Sequence, residues 1–400
     1  MPRRNRFRHQ SYPTAPEIVP TRHVLTVDPE STDFERLHSR HNVQQVVLVP
    51  GTFAGDDPFN VVEMLRSIAD RLPVGSQNVH DLADRVTEKM RNVFSRVADD
   101  IGNYTNDFAQ RFEDLVGGDL RVMLLNPTWS GQNHHFARAD LAVRLINHLD
   151  SQDLFGGEQV LLWGHSHVGN GIALLSNLLA NDELSVDQFF ESCGHPDAEH
   201  WQRAHRILKT GASPHPLAKH VTAVTFGTPV RYGWDTNGIH QVYHVLFDRA
   251  ADDGTQITTA PLFLPHSIDD MLSARYGDWV QAFAITGTDV VPPAPGPIKR
   301  NRLLAAFLLQ GLEVPELTFD TQLVPGEHLQ HLCARWKTGT RCHADGHNLL
   351  VDYQASGRTV LGQPIEASVF GHGVATTIDW LPAHLALLLR RMDLSGERRT

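Results

Sequence analysis

Apolar residues in this chain fall into short continuous runs, separated by longer stretches in which they recur every three or four positions. The runs Val43 to Val49 (VQQVVLV), Arg121 to Asn126 (RVMLLN), Val160 to Trp163, Val221 to Phe226 (VTAVTF) and Trp279 to Thr286 (WVQAFAIT) predict buried strands. Leu349 to Tyr353 is a further short strand candidate, and Thr21 to Val27 suits an edge strand. Tyr243 to Phe247 is a short apolar run inside a loop of mixed character. Helical spacing fills the gaps. From Pro58 to about Gly118, Val61, Met64, Leu65, Ile68 and Leu72 open a helical pattern that Val86, Met90, Val93, Phe108, Phe112 and Val116 continue. Ala137 to Leu149, Ile172 to Leu179, Leu303 to Leu312 and Ile378 to Leu389 repeat it, and residues 181 to 218 are polar and partly helical. Strands alternating with helices predict a mostly parallel sheet with right-handed crossovers.

One junction in this pattern is chemically suggestive. The apolar strand ending in Trp163 is followed by Gly164-His165-Ser166-His167-Val168-Gly169, and a helical pattern starts at Ile172. A strand, a sharp turn with serine at its tip and a helix form a nucleophile elbow. The turn lifts the hydroxyl of Ser166 out of the sheet, and it sets the amide of His167 at a helix N-terminus, where it can face a developing oxyanion.

The string GHSHVG behind an apolar strand resembles the elbow of the α/β-hydrolase family, on its serine lipase and esterase side, with Val168 where that family usually has glycine. The resemblance runs from about residue 43 to 390. It implies an α/β-hydrolase fold: a mostly parallel central sheet flanked by helices, with a helical lid or cap. It also implies roles for other residues. The loop after Val49 begins Pro50-Gly51-Thr52-Phe53, with Pro50 in place of the family's usual histidine. The amide of Thr52 is then the second oxyanion donor beside His167, and Phe53 neighbours the substrate pocket. Trp129, in WSGQN after the Arg121 strand, is a candidate for the pocket mouth. The order Ser, then acid, then His is met by Asp289, just past the expected strand Trp279 to Thr286, with Asp235 and Asp345 as rivals. His372, flanked by Gly371 and Gly373 before the closing helix, is the expected base, and His347 is its competitor. His165 and His167 flank the serine within the tight turn, so their side chains are expected to point elsewhere.

Composition narrows the partners. Lys+Arg of 35 against Asp+Glu of 46 gives a net charge of −11, which argues against nucleic acid. The exception is the extreme N-terminus, with Arg3, Arg4, Arg6 and Arg8, which lacks the apolar core of a signal peptide and reads as a flexible basic tail. Residues 1 to 40 are accordingly expected as a flexible basic N-terminal segment, and 41 to 400 as one domain. That domain is expected to carry a helical insertion at about 56 to 118 and a second cap-like region at about 181 to 218. Three cysteines do not make a disulfide framework, and no apolar stretch reaches the length of a membrane span, so a soluble cytoplasmic protein is expected. The His- and Cys-rich stretch Glu327 to His347 holds Cys333 and Cys342 singly and far apart, unlike the paired spacings of a zinc site, so no metal is expected.

The expected activity is cleavage of a carboxylic ester, from a small-molecule or lipid substrate, without a metal or organic cofactor. Two alternatives stand beside it. One is a phospholipase-type effector acting on membrane lipids. The other is a hydrolase-like scaffold that binds without turning over.

Overall fold

The computed structural model describes residue 7 and residues 20–29, 32–51, 104–126, 128–249, 267–284, 295–308, 341–360 and 362–397. Its centre is a seven-stranded sheet: β1 (Thr21–Leu25), β2 (Val43–Val49), β3 (Arg121–Leu124), β4 (Gln159–His165), β5 (Val221–Phe226), β6 (Gln241–Phe247) and β7 (His347–Tyr353). The spatial order is β1-β7-β6-β5-β4-β2-β3, and every pairing is parallel. Strands β4 and β5 are buried along their whole length. That burial explains why they read as unbroken apolar runs and not as alternating ones: both faces of the sheet are covered.

Alternate residues divide between the two faces. Val47, Val49, Val160, Leu162, Val221 and Ala223 pack in one core cluster, while Val46, Leu48, Leu161, Trp163, Val224 and Phe226 pack in the other. Helix α1 (Asn106–Val116) lies on the second face, with the ring of its Phe112 edge-on to Trp163 at 5.1 Å. The Thr105 hydroxyl caps that helix by accepting from the Phe108 amide. Helices α2 (His135–Asp150) and α3 (Val168–Ala180) cover the first face. Helices α4 (Glu183–Ser192) and α5 (Glu199–Leu208) form an outer layer on that side. Asp140 of α2 accepts from His200 Nε2 at 2.7 Å and from Trp201 Nε1 at 2.8 Å. The helices of the 181–218 region thus pack as an outer layer against α2. The closing helix, here α8 (Leu381–Glu397), packs on the second face, after α6 (Trp279–Ala284) and α7 (Pro295–Leu308).

The structure corrects several expectations. Trp279–Ala284 is a helix, not a strand. Asp278 stands at its start: its Oδ1 accepts from the Gln281 amide at 2.8 Å and its carbonyl accepts from the Ala282 amide. A short apolar run reads equally as strand or helix, and a capping aspartate is what decides here. The missing strand is supplied by Gln241–Phe247, the run taken for loop. Residues 1–40 are not simply a loose tail. β1 pairs in register with β7 from Thr21↔Leu349 to Leu25↔Tyr353, and the Phe7 ring stacks on Phe189 at 5.3 Å. Of the 56–118 insertion, α1 belongs to the layer on the sheet; residues 52–103 lie outside the described residues.

Candidate active site

The chain leaves β2 for β3 on one side of β2 and returns to β4 on its other side, so the strand order reverses between β2 and β4. In open parallel sheets the crevice at the carboxyl ends of such a pair is where ligands bind. Both motifs singled out in the sequence end there. Gly51 follows β2 and Ser166 follows β4. A Cβ added to Gly51 would lie 3.5 Å from the Ser166 Cβ.

Ser166 has φ of 59°, in the left-handed region. Such a backbone costs roughly 1–3 kcal/mol and persists only where the surroundings enforce it. Its amide donates to the Phe226 carbonyl at 2.8 Å, extending the β4–β5 ladder by one bond, and its carbonyl accepts from the Thr228 hydroxyl at 2.8 Å. Close packing does the rest. A Cβ on Gly164 would come within 2.7 Å of Val168 Cγ1, and one on Gly169 within 2.2 Å of Thr228 Oγ1. Gly164 thus makes room for the valine that stands where the family pattern has glycine. Ser166 and His167 are both buried, and His167 is the N-cap of α3, its carbonyl accepting from the Asn170 amide at 3.0 Å.

His372 Nδ1 donates to Asp278 Oδ2 at 2.6 Å, and both side chains are buried. The other carboxylate oxygen is held on the N-terminus of α6, where the helix dipole favours negative charge. Asp278 lies beside the end of β6, where its amide meets the Phe247 carbonyl. Arg341 braces this loop by donating to the carbonyls of Phe247 at 2.6 Å and Tyr276 at 3.0 Å. Gln281 ties the same loop to the elbow through the Thr228 carbonyl at 3.0 Å. Gly227, at φ of +57°, is the joint between the two. A Cβ there would sit 2.6 Å from Asp278 Oδ2 and 3.0 Å from His372 Nδ1.

The expected site residues therefore divide. Ser166, His167 and His372 are brought to one end of the sheet. His347 opens β7 with its ring stacked on Tyr243 at 5.2 Å, so it is His372 that meets a carboxylate. Asp289 lies outside the described residues, as do Thr52 and Phe53. Among the described residues, Asp278 is the carboxylate that meets His372. Asp235 caps a short 3₁₀ turn through the Asn237 amide, and the carbonyl of Asp345 accepts from His244. Trp129 is buried and donates from Nε1 to the Pro50 carbonyl at 2.9 Å, so it braces the loop after β2. Asp278 and Arg341 were missed by sequence reasoning, whereas the Gly227-Thr228-Pro229 loop after the Val221 strand is legible as one that lies beside the serine. Asp278 carried a usable signal: an aspartate directly before an apolar helical run, already in the order Ser, Asp, His.

Compared with known proteins, the chain matches no family model, no curated protein and no solved structure.

Behind the elbow lies a stack of buried histidines. The rings of His244 and His343 lie 3.9 Å apart. His343 Nε2 donates to the Thr228 carbonyl at 3.3 Å and its Nδ1 accepts from Trp234 Nε1 at 3.3 Å. His244 Nδ1 accepts from the Thr225 hydroxyl, and its Nε2 donates to the Asp345 carbonyl. Each ring thus has a donor and an acceptor matched to the neutral form. Burial pulls His343 down to about 4, and burial together with the neighbouring His343 holds His244 well below the ordinary histidine range. His384 accepts from the Tyr353 hydroxyl at 2.8 Å, and burial lowers it to about 3. Among the described residues no group of three His, Cys, Asp or Glu is placed to hold a metal ion, and no helix is long and apolar enough to cross a membrane.

Proposed function

We propose that this chain is a serine hydrolase of the α/β-hydrolase type, cleaving carboxylic esters through an acyl-enzyme on Ser166. The observation that carries the reading is the convergence of the left-handed Ser166 elbow with the buried His372–Asp278 pair at the carboxyl end of the sheet. Ser166 Oγ attacks the ester carbonyl while His372 Nε2 takes its proton. Asp278 keeps the second imidazole proton on Nδ1 and stabilises the imidazolium as it forms. The oxyanion is received by the His167 amide at the start of α3 and by the amide of Thr52 after Gly51. His372 then returns its proton to the departing alkoxide, and in the second half it activates the water that releases the acid.

Nitrophenyl esters of increasing acyl length test the proposal. The wild type is expected to release nitrophenol, and Ser166→Ala to fall to the uncatalysed rate with an unchanged circular dichroism spectrum. Turnover retained by folded Ser166→Ala would refute the assignment.

A further inference from the structure

His165 lies at the last position of β4, directly before Ser166, and it is fully buried. It shares a sheet face with Leu161 and Trp163, the face on which α8 packs. Its Nε2 lies 3.0 Å from the His372 carbonyl oxygen. A carbonyl only accepts, so Nε2 carries the proton and donates. The two imidazole rings lie 4.3 Å apart and are tilted by 43°. On its other side, His165 Nδ1 is 3.0 Å from the point where a Cβ would stand on Gly51. A single side chain thus touches both the loop that carries the base and the loop that follows β2.

The base loop needs such a support. Val369 and Phe370 have φ of 50° and 57°, and Gly371 follows at 85°. A β-branched residue and an aromatic one in the left-handed region are each strained, and a loop so built relaxes unless contacts over-determine it. The bond from His165 Nε2 is made to the first carbonyl after this run, on the catalytic histidine itself.

We propose that His165 is a positioning residue: its Nε2–H fixes the backbone of His372, and its ring holds the imidazole at a set distance from the oxyanion side of the site. This deepens, and rests on, the ester-hydrolase reading of Ser166. A misplacement of about 1 Å in a catalytic group costs on the order of a hundredfold in rate. Two variants separate hydrogen bond from bulk. His165→Leu fills the space without a donor, whereas His165→Gln places an amide N–H where Nε2 stood.

The test combines steady-state kinetics on a nitrophenyl ester with proton NMR of the full chain. The NMR signal is the low-field Nδ1 proton of His372 in its short bond to Asp278. His165→Leu is expected to lose roughly tenfold to a hundredfold in kcat with little change in KM, and to broaden or shift the low-field signal. His165→Gln is expected to recover most of both. Wild-type kcat in His165→Leu, or a folded His165→Gln no better than the leucine variant, would overturn the proposal. The NMR readout does not depend on turnover. A wild type with the signal but no ester cleavage would defeat the ester reading, and the spectra of the two variants would still decide the role of His165.

Discussion

Asp278→Asn is expected to lower kcat for ester turnover by about three to four orders of magnitude, the scale seen when the triad aspartate of a serine protease is made asparagine. Asparagine is as good a helix cap as aspartate, so α6 keeps its start and the fold stays intact. What changes is the partner of His372. The carboxylate accepts the Nδ1 proton at 2.6 Å and offsets the imidazolium charge; a neutral amide does neither fully and can impose the wrong tautomer. Asp289→Asn is the control and is expected to stay near the wild-type rate. Full activity in Asp278→Asn, or a collapse in Asp289→Asn, would move the acid back to the position read from the sequence.

The second large effect is on stability in acid. His343 and His384 are held neutral in the fold, with pKa values of about 4 and about 3, and His244 is lowered with them. Their folded values lie below the ordinary histidine value of roughly 6.5. As pH falls below that value, the unfolded chain binds protons that the folded chain refuses. The stabilisation is complete above about pH 6.5 and is lost progressively down to about pH 4. His343 and His384 each take away about 1.4 kcal/mol per pH unit in that window. His343 and His384 alone consume on the order of 4 kcal/mol by about pH 5, a large share of the roughly 5–15 kcal/mol that holds an ordinary domain folded, and His244 acts in the same direction. Urea denaturation at intervals from pH 7.5 to 4.5 should show the midpoint falling steeply below pH 6.5. A midpoint that stays flat across that range would mean these histidines accept protons in the folded state.

Most of the sheet was legible because strands covered on both faces are written as continuous apolar runs. Val43–Val49, Val221–Phe226 and the run ending at Trp163 could hardly be read otherwise. The elbow was legible because Ser166 sits between such a run and a helical pattern, with glycines on both sides. The error at Trp279 has a physical origin. WVQAFA is too short for its period to show, and the capping bond from Asp278, a matter of three residues, outweighed it. A strand at Trp279 points to an acid after it, at Asp289, whereas a helix there puts Asp278 before it, with its carboxylate on His372. The strand at Gln241–Phe247 is harder to read because His244 interrupts the apolar run Tyr243 to Phe247, yet the buried His244 is satisfied by Thr225 and Asp345. Long-range contacts such as Arg341 on the Phe247 carbonyl leave no trace in sequence spacing, since residues 94 positions apart meet only in the fold.

If Ser166 is an activated nucleophile, the folded wild-type chain reacts there with a fluorophosphonate, as peptide mass mapping would show. A single adduct on the peptide containing Ser166, lost in Asp278→Asn and absent from heat-denatured protein, is the predicted result. An unlabelled Ser166 in folded protein, or an adduct on a different serine, would contradict the account.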